Sequence, residues 1–272
     1  MPRRFGPKKR IVTKYFLEVT TDARGRRTFI DNKPRPRFKY TAERKLRRAE
    51  ELDCISRLME KHGIPIQRVL KRDANLTAQN FVAGKLLTDV PLTRELLTQI
   101  ATTLAKIHSI RETERLSQPN MERLGTPQRI GFNIAFLVKE GVLSTMEGKR
   151  MRNLLAHSPK QADIVLSHND VAKQNMVIRG GKVYFIDIGD AGLVFRDLEL
   201  ARTFFNLNLT PAQRRLFLQV YRRNGGKTET FEKTARYWTT YVLLYRLSKW
   251  CKRKYSAEKI NALKTQLLET AS

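Results

Sequence analysis

Acidic residues are scarce in this chain. Its 272 residues carry 26 Asp and Glu against 53 Lys and Arg, a formal charge of +27. A surface so unbalanced repels cations and concentrates anions. That works against a polycationic ligand and makes nucleic acid, anionic lipid headgroups and phosphorylated sugars the fitting partners. The imbalance is steepest at the start, where Met1 to Arg48 holds 17 Lys and Arg against 4 Asp and Glu. A second basic block runs through Lys249, Lys252, Arg253 and Lys254. A solvated basic surface with no partner accounts for the charge equally well.

Cysteine is nearly missing. Cys54 and Cys251 are the only two and lie far apart, which excludes a disulfide framework and a CxxC site. It suits a reducing compartment, with both thiols expected as buried packing residues. The four histidines show no HExxH spacing, which argues against a protein-ligated zinc. No apolar run approaches the roughly 20 residues of a membrane span. The basic start MPRRFGPKKR is not followed by an apolar segment of the secretory type, so the expectation is a cytoplasmic protein. A peripheral place at the inner membrane face, through the basic patches, is the alternative. Glycine is thin at the front: Gly6 and Gly25 are the only two before Gly63, so no glycine-rich phosphate loop opens the chain.

What remains is globular, with 41% apolar and 29% charged residues. Pro2, Gly6 and Pro7 make residues 1–14 a basic arm. Tyr15–Val19 and Arg27–Ile30 read as strands joined across Asp22–Gly25, and Lys33–Arg37 is extended by its prolines. A helix is expected after Thr41 as N-cap, running to His62 with Gly63 as its stop. Pro91–Ile110 has the apolar spacing of a second helix, with His108 read as a core or helix-end histidine. Residues 111–160 show no motif. Further helices are expected around 211–223 and 231–250. In the latter, Tyr237, Trp238, Tyr241, Leu244 and Tyr245 form a stripe that reads as core.

The chemistry gathers in Leu166–Ala201. His168-Asn169-Asp170 is followed five residues later by Asn175, then by the polar turn Arg179–Lys182 and the apolar run Val183–Ile186, ending in Asp187. VLSH, NMVI and VYFI read as short strands, so the polar residues sit at strand ends and in loops. Phosphoryl transfer needs a hydroxyl held in line and metal ions on the phosphate oxygens. Asp170 suits the first task as acceptor of the hydroxyl proton. Asn175 and Asp187 offer the oxygen-only ligands that Mg²⁺ prefers.

The pattern H-x-D-x-x-x-x-N, a hairpin, then apolar-apolar-Asp resembles the aminoglycoside phosphotransferase and choline kinase superfamily, kin to the protein kinases. The resemblance implies an α+β, bilobal protein-kinase-like fold with a small β-rich N-lobe and a larger, mostly helical C-lobe. It sets the arm at 1–14, the N-lobe at 15–83 and the C-lobe at 84–272. It makes Asp170 the catalytic base, with His168 orienting its loop and Asp197 bracing from below. Ala172 stands where kinases commonly have Lys or His, and Lys173, one residue along, is expected to reach the γ-phosphate instead. Asn175 and Asp187 would hold the metal. Lys33 is the expected N-lobe phosphate lysine, with Lys39 as second choice, and Glu50 or Glu51 its partner. Gln79–Leu86 resembles the hinge that holds an adenine, with Gln79, Phe81 and Val82 as its binding residues.

The implied activity is an ATP- and Mg²⁺-dependent transfer to a hydroxyl. A sugar or an anionic glycolipid is favoured as acceptor by the charge. A serine/threonine protein kinase is the neighbouring alternative, and a basic pseudokinase or nucleic-acid-binding scaffold the non-enzymatic one.

Overall fold

The computed structural model describes residues 10–13, 16–21, 27–31, 38–42, 46–74, 76–114, 116, 126–156, 159 and 163–272. The described chain begins with strands β1 (Arg10–Thr13), β2 (Phe16–Thr21), β3 (Arg27–Asp31) and β4 (Phe38–Ala42), then helix α1 (Leu46–Lys61). Strands β5 (Val69–Asp73), β6 (Leu76–Asn80) and β7 (Lys85–Leu86) lead to helices α2 (Arg94–His108), α3 (Pro127–Lys139) and α4 (Thr145–Leu154). Strands β8 (Ile164–Ser167), β9 (Met176–Arg179), β10 (Lys182–Phe185) and β11 (Gly192–Phe195) carry the polar loops. Helices α5 (Arg196–Leu207), α6 (Pro211–Arg223), α7 (Glu229–Lys252) and α8 (Ala257–Ala271) close the chain. No described helix is long and apolar enough to cross a membrane.

Two compact units interleave along the sequence. One takes Met1–Ser117, Leu166–Leu193 and Pro211–Gly226; the other takes Gln118–Val165, Val194–Thr210 and Lys227–Ser272.

The first unit holds a six-stranded antiparallel sheet in the order β1-β2-β3-β4-β6-β5. The end of the expected arm belongs to it, because Ile11 pairs with Leu17. In β4, Lys39 stands between Ile30 and Gln79, so Lys39 and Gln79 are direct cross-strand neighbours. Helix α1 lies against β5 and β6, burying Ala49, Leu52, Ile55 and Met59 at the spacing of one helical face. It ends as expected at Gly63, whose φ of +64° suits a glycine. There Gly63 N–H donates to Glu60 and Ile64 N–H to Met59, each at 2.9 Å.

The other end of α1 differs from expectation. Thr41 is not an N-cap but a buried residue of β4, paired with Thr28 and Thr77. Its β-branched side chain suits a sheet position as well as a cap, and two neighbouring strands decide the matter. The expected turn at Asp22–Gly25, Lys33 and most of the basic arm lie outside the described residues.

Also in the first unit, α2 packs on β10 and α6. The hairpin β9–β10 pairs Arg179 with Lys182 across Gly180 and Gly181, whose φ values are +55° and +73°. Two positive-φ residues are what the favoured two-residue hairpin turn demands. His108 is buried, with Nδ1 2.6 Å from the Tyr221 hydroxyl, the satisfied core histidine that was expected.

The second unit is helical, with α7 contacting α3, α5 and α8. Tyr237, Trp238, Tyr241 and Leu244 of α7 are buried there, while Tyr245 stays partly exposed. Most of the expected stripe is therefore core. Neither cysteine is the buried packing residue expected: both are free and partly exposed.

Candidate active site

The polar loops of the first unit are assembled by hydrogen bonds between short strands. After β8, His168 is fully buried and its Nε2 lies 3.0 Å from the Ile186 carbonyl. Its ring meets Phe185 edge-on at 5.4 Å. One imidazole thereby fixes the start of the loop His168–Asn175 to the end of β10. Asn169, at a φ of +62°, donates from Nδ2 to the Asp190 carbonyl at 3.1 Å, a second tie between the same two loops.

Asp170 and Asn175 meet directly. The Asn175 amide donates to the Asp170 carbonyl at 2.9 Å and to its Oδ2 at 2.8 Å. With its nitrogen committed to Asp170, the amide has its carbonyl oxygen left for other work. Asn175 ends a short 3₁₀ turn, Lys173–Asn175, that places Lys173 two residues before it and half-buried. The Ile186 N–H donates to the Asn175 carbonyl at 2.9 Å, which sets Asp187 beside this loop.

Asp187 has left-handed backbone, φ 58° and ψ 57°. Outside glycine this conformation costs energy and is tolerated best by Asn and Asp. Its N–H donates to Gln67 Oε1 at 3.3 Å, and its carboxylate, 45% exposed, lies 3.5 Å from Lys39 Nζ. Gln67 is a buried hub. Its N–H donates to Phe185 at 2.7 Å, its Nε2 donates to the Asn80 carbonyl at 2.9 Å, and its Oε1 also accepts from Lys39 at 3.4 Å. The second-choice lysine is thus the described lysine that reaches the aspartate.

Glu51 points to the same loops through an arginine. Arg48 Nη1 lies 2.5 Å from Glu51 Oε2, and Nη2 donates to the carbonyls of Gly189 at 2.8 Å and Ala191 at 2.7 Å. Arg48 and Gln67 were missed by sequence reading. Arg48 left a faint signal, a basic residue three before the acidic one on a helix, and Gln67 only a polar residue inside the apolar run IPIQRVL.

At the far end of β6, Gln79 is buried, Phe81 is 37% exposed and Val82 is buried. Among the described residues, no hydrogen bond is made by the backbone of Phe81 or Val82. Asp197 is held elsewhere, accepting from Thr234 at 2.8 Å and Thr230 at 3.2 Å in the second unit. Burial pushes its carboxyl above the ordinary aspartate value, against those two hydroxyls and the Arg196 charge.

Among the described residues no three of His, Cys, Asp and Glu gather as a metal cage. Asn175 and Asp187, on loops joined by the Ile186–Asn175 backbone bond, offer hard oxygen donors, one amide and one carboxylate. Such a pair fits Mg²⁺, which keeps most of its positions for phosphate and water.

The sequence profile of the phosphotransferase enzyme family matches residues 11–237. No curated protein matches the chain. Among solved structures, the amicoumacin kinase hAmiN in complex with AMP-PNP, Ca²⁺ and Ami superposes with a TM-score of 0.67 at 12% identity, over 95% of this chain and 87% of that one. The streptomycin–ATP complex of APH(2")-IIa gives 0.61 at 17% identity, over 96% and 93%. The macrolide 2'-phosphotransferase MphH from Brachybacterium faecium gives 0.57 at 14%, over 93% and 91%. At such identities the likeness is one of fold, α+β and protein-kinase-like.

Proposed function

Because this chain belongs to the phosphotransferase enzyme family, we propose that it transfers the γ-phosphate of ATP, with Mg²⁺, to a hydroxyl of a sugar or an anionic glycolipid. The observation that carries the reading is the contact set Asp170–Asn175 and Lys39–Asp187, gathered in one unit by Gln67 and His168.

In this reading the acceptor oxygen forms its bond to the γ-phosphorus as the bond to the bridging oxygen breaks. ADP leaves with that electron pair. The hydroxyl proton passes to the Asp170 carboxylate, which acts as general base. Asn175 and Asp187 would hold Mg²⁺, which when bound neutralises charge on the phosphate oxygens. Lys39 takes the role expected of an N-lobe lysine and steadies the phosphates by charge. Lys173 reaches toward the γ-phosphate from the catalytic loop. His168 has no exposed surface, so it serves as a positioning residue. The backbone of Phe81 and Val82, next to Gln79, would take the adenine edge. Residues 15–83 would cover the nucleotide and 84–272 carry the catalytic loop and acceptor site.

Of the proteins compared above, one holds streptomycin with ATP, one is an amicoumacin kinase and one a macrolide 2'-phosphotransferase; a polycationic acceptor sits poorly with a charge of +27. The deciding experiment is thermal shift with ATP, with and without Mg²⁺, followed by an acceptor screen scored by ADP release. Bound nucleotide should raise the melting point. Absence of any Mg²⁺-dependent shift would remove the kinase reading.

A further inference from the structure

Within the second unit, the first turn of α3 and the last turns of α7 wall a cavity of about 850 Å³. Four of its lining residues are cations, Arg129, Lys249, Lys252 and Arg253, and none is acidic. Like charges sharing one sheltered space repel one another and favour a counter-ion. Three of the four have their heads over aromatic faces, which orient a cation without neutralising it. Arg129 lies 5.4 Å and Lys249 6.0 Å from the centroid of Tyr245, and Lys252 lies 4.7 Å from that of Phe132 and of Phe136. Burial would raise the Tyr245 phenol, yet Lys249, Arg202, Arg129 and Arg246 together hold it below its ordinary value. The wall is therefore at positive potential.

The lining also offers a donor that the protein leaves unused. Asn133 is 4% exposed and its Oδ1 accepts from Ser248 Oγ at 3.1 Å. Its Nδ2 is buried with no partner, an arrangement that is costly unless something accepts the bond. The N-terminal turn of α3, capped by Thr126, adds the positive end of a helix dipole. Charge, a buried donor and a helix start meet in one place. The volume falls within the range of small-molecule pockets, about 300–1,000 Å³, and well beyond what inorganic phosphate fills.

We propose that this cavity binds a soluble organic phosphomonoester of sugar-phosphate size, its phosphate held by Arg129, Lys252, Arg253 and the Asn133 amide. The remainder of the ligand lies on the exposed edges of Tyr245 and Phe132. The site rests on the second unit's own residues and does not depend on the kinase assignment.

The test is calorimetric titration of the full chain with glucose 6-phosphate, with glucose as control. Phosphatidylcholine vesicles with and without phosphatidic acid form a parallel arm. Glucose 6-phosphate should bind while glucose does not, and Arg129→Gln with Lys252→Gln should weaken binding at least tenfold. Asn133→Leu should weaken it too. Arg223→Gln with Lys106→Gln, exposed cations of the first unit, should change it less than twofold. Circular dichroism melts establish that each variant is folded. No binding of glucose 6-phosphate overturns the proposal, as does equal weakening by the first-unit pair, which would mean net charge alone. Binding only to phosphatidic acid vesicles would also overturn it, assigning the cavity to a lipid headgroup.

Discussion

Lys39 and Asp187 lie 148 residues apart in sequence, and the ammonium of one stands 3.5 Å from the carboxylate of the other. The lysine comes from a central strand of the six-stranded sheet, and the aspartate from a left-handed turn after β10. Half of the pair's surroundings are wet, since the aspartate side chain is 45% exposed. Its worth as a stabilising ion pair is therefore small. Lys39→Met should lower kcat/KM for ATP by about a hundredfold or more, the scale of losing one preorganised charge, with little change in melting temperature. Steady-state kinetics and a thermal melt of the same variant check both halves.

Asp170→Asn keeps the shape of the contact with Asn175 but removes the proton acceptor. The expected loss in kcat is about a hundred- to ten-thousand-fold, the usual share of a general base, while nucleotide affinity moves little. Asp187→Ala should abolish the Mg²⁺ dependence of nucleotide binding instead. Two titrations, one variant each, tell these outcomes apart.

Gln67 is the residue whose removal should show most clearly in stability. Gln67→Leu keeps the bulk and strands the part-buried Asn80 carbonyl and the Asp187 N–H. An orphaned buried group costs about 1–3 kcal/mol, to be read as a lower urea midpoint with an unchanged slope.

Gly84 admits no side chain. A Cβ there would fall on the Ile178 carbonyl and the Val177 methyl, so Gly84→Ala must part β7 from β9. A cost of about 1–3 kcal/mol is expected from such overpacking, seen as a lower melting temperature. A weaker hold on nucleotide should accompany it, because Gly84 lies within the expected hinge.

Glu112 supplies the pH-dependent prediction. The Lys61 ammonium at 2.6 Å, aided by backbone and by His62, holds its carboxyl down at about 2 instead of 4.5. A carboxyl depressed by folding adds stability above its unfolded value and loses it as the pH falls from about 4.5 towards 2. Glu112→Gln should lower the melting temperature slightly at pH 6, and the gap from the parent should close by pH 2. The glutamate is exposed, so the gap is small and salt should narrow it further.

How much of this was legible depended on the range of the interactions. The stretch from His168 to Asp187 could be read because hairpin chemistry, strand composition and spacing all act within twenty residues. Asp170, Asn175 and Asp187 fell where strand ends and loops were expected. Thr41 was misread because a threonine before a helix and a threonine within a strand look alike until the neighbouring strands are known. Gln67 and Arg48 act on partners 120 and 141 residues away, and no local pattern encodes such a contact. The cavity beside α3 escaped for a related reason: Arg129 and Lys249 belong to different helices, and only packing makes them neighbours of one ring.

Arg48 grips two carbonyls on either side of Asp190, and Glu51 steadies its guanidinium one turn along α1. The helix and the turn that begins at Asp187 are coupled like a crank and its shaft. Swinging α1 away means breaking two charge-assisted bonds and slackening that turn. Whatever holds or tilts that helix, a crystal neighbour, an added domain or an inhibitor wedged beneath it, thereby has a grip on catalysis from outside the nucleotide site.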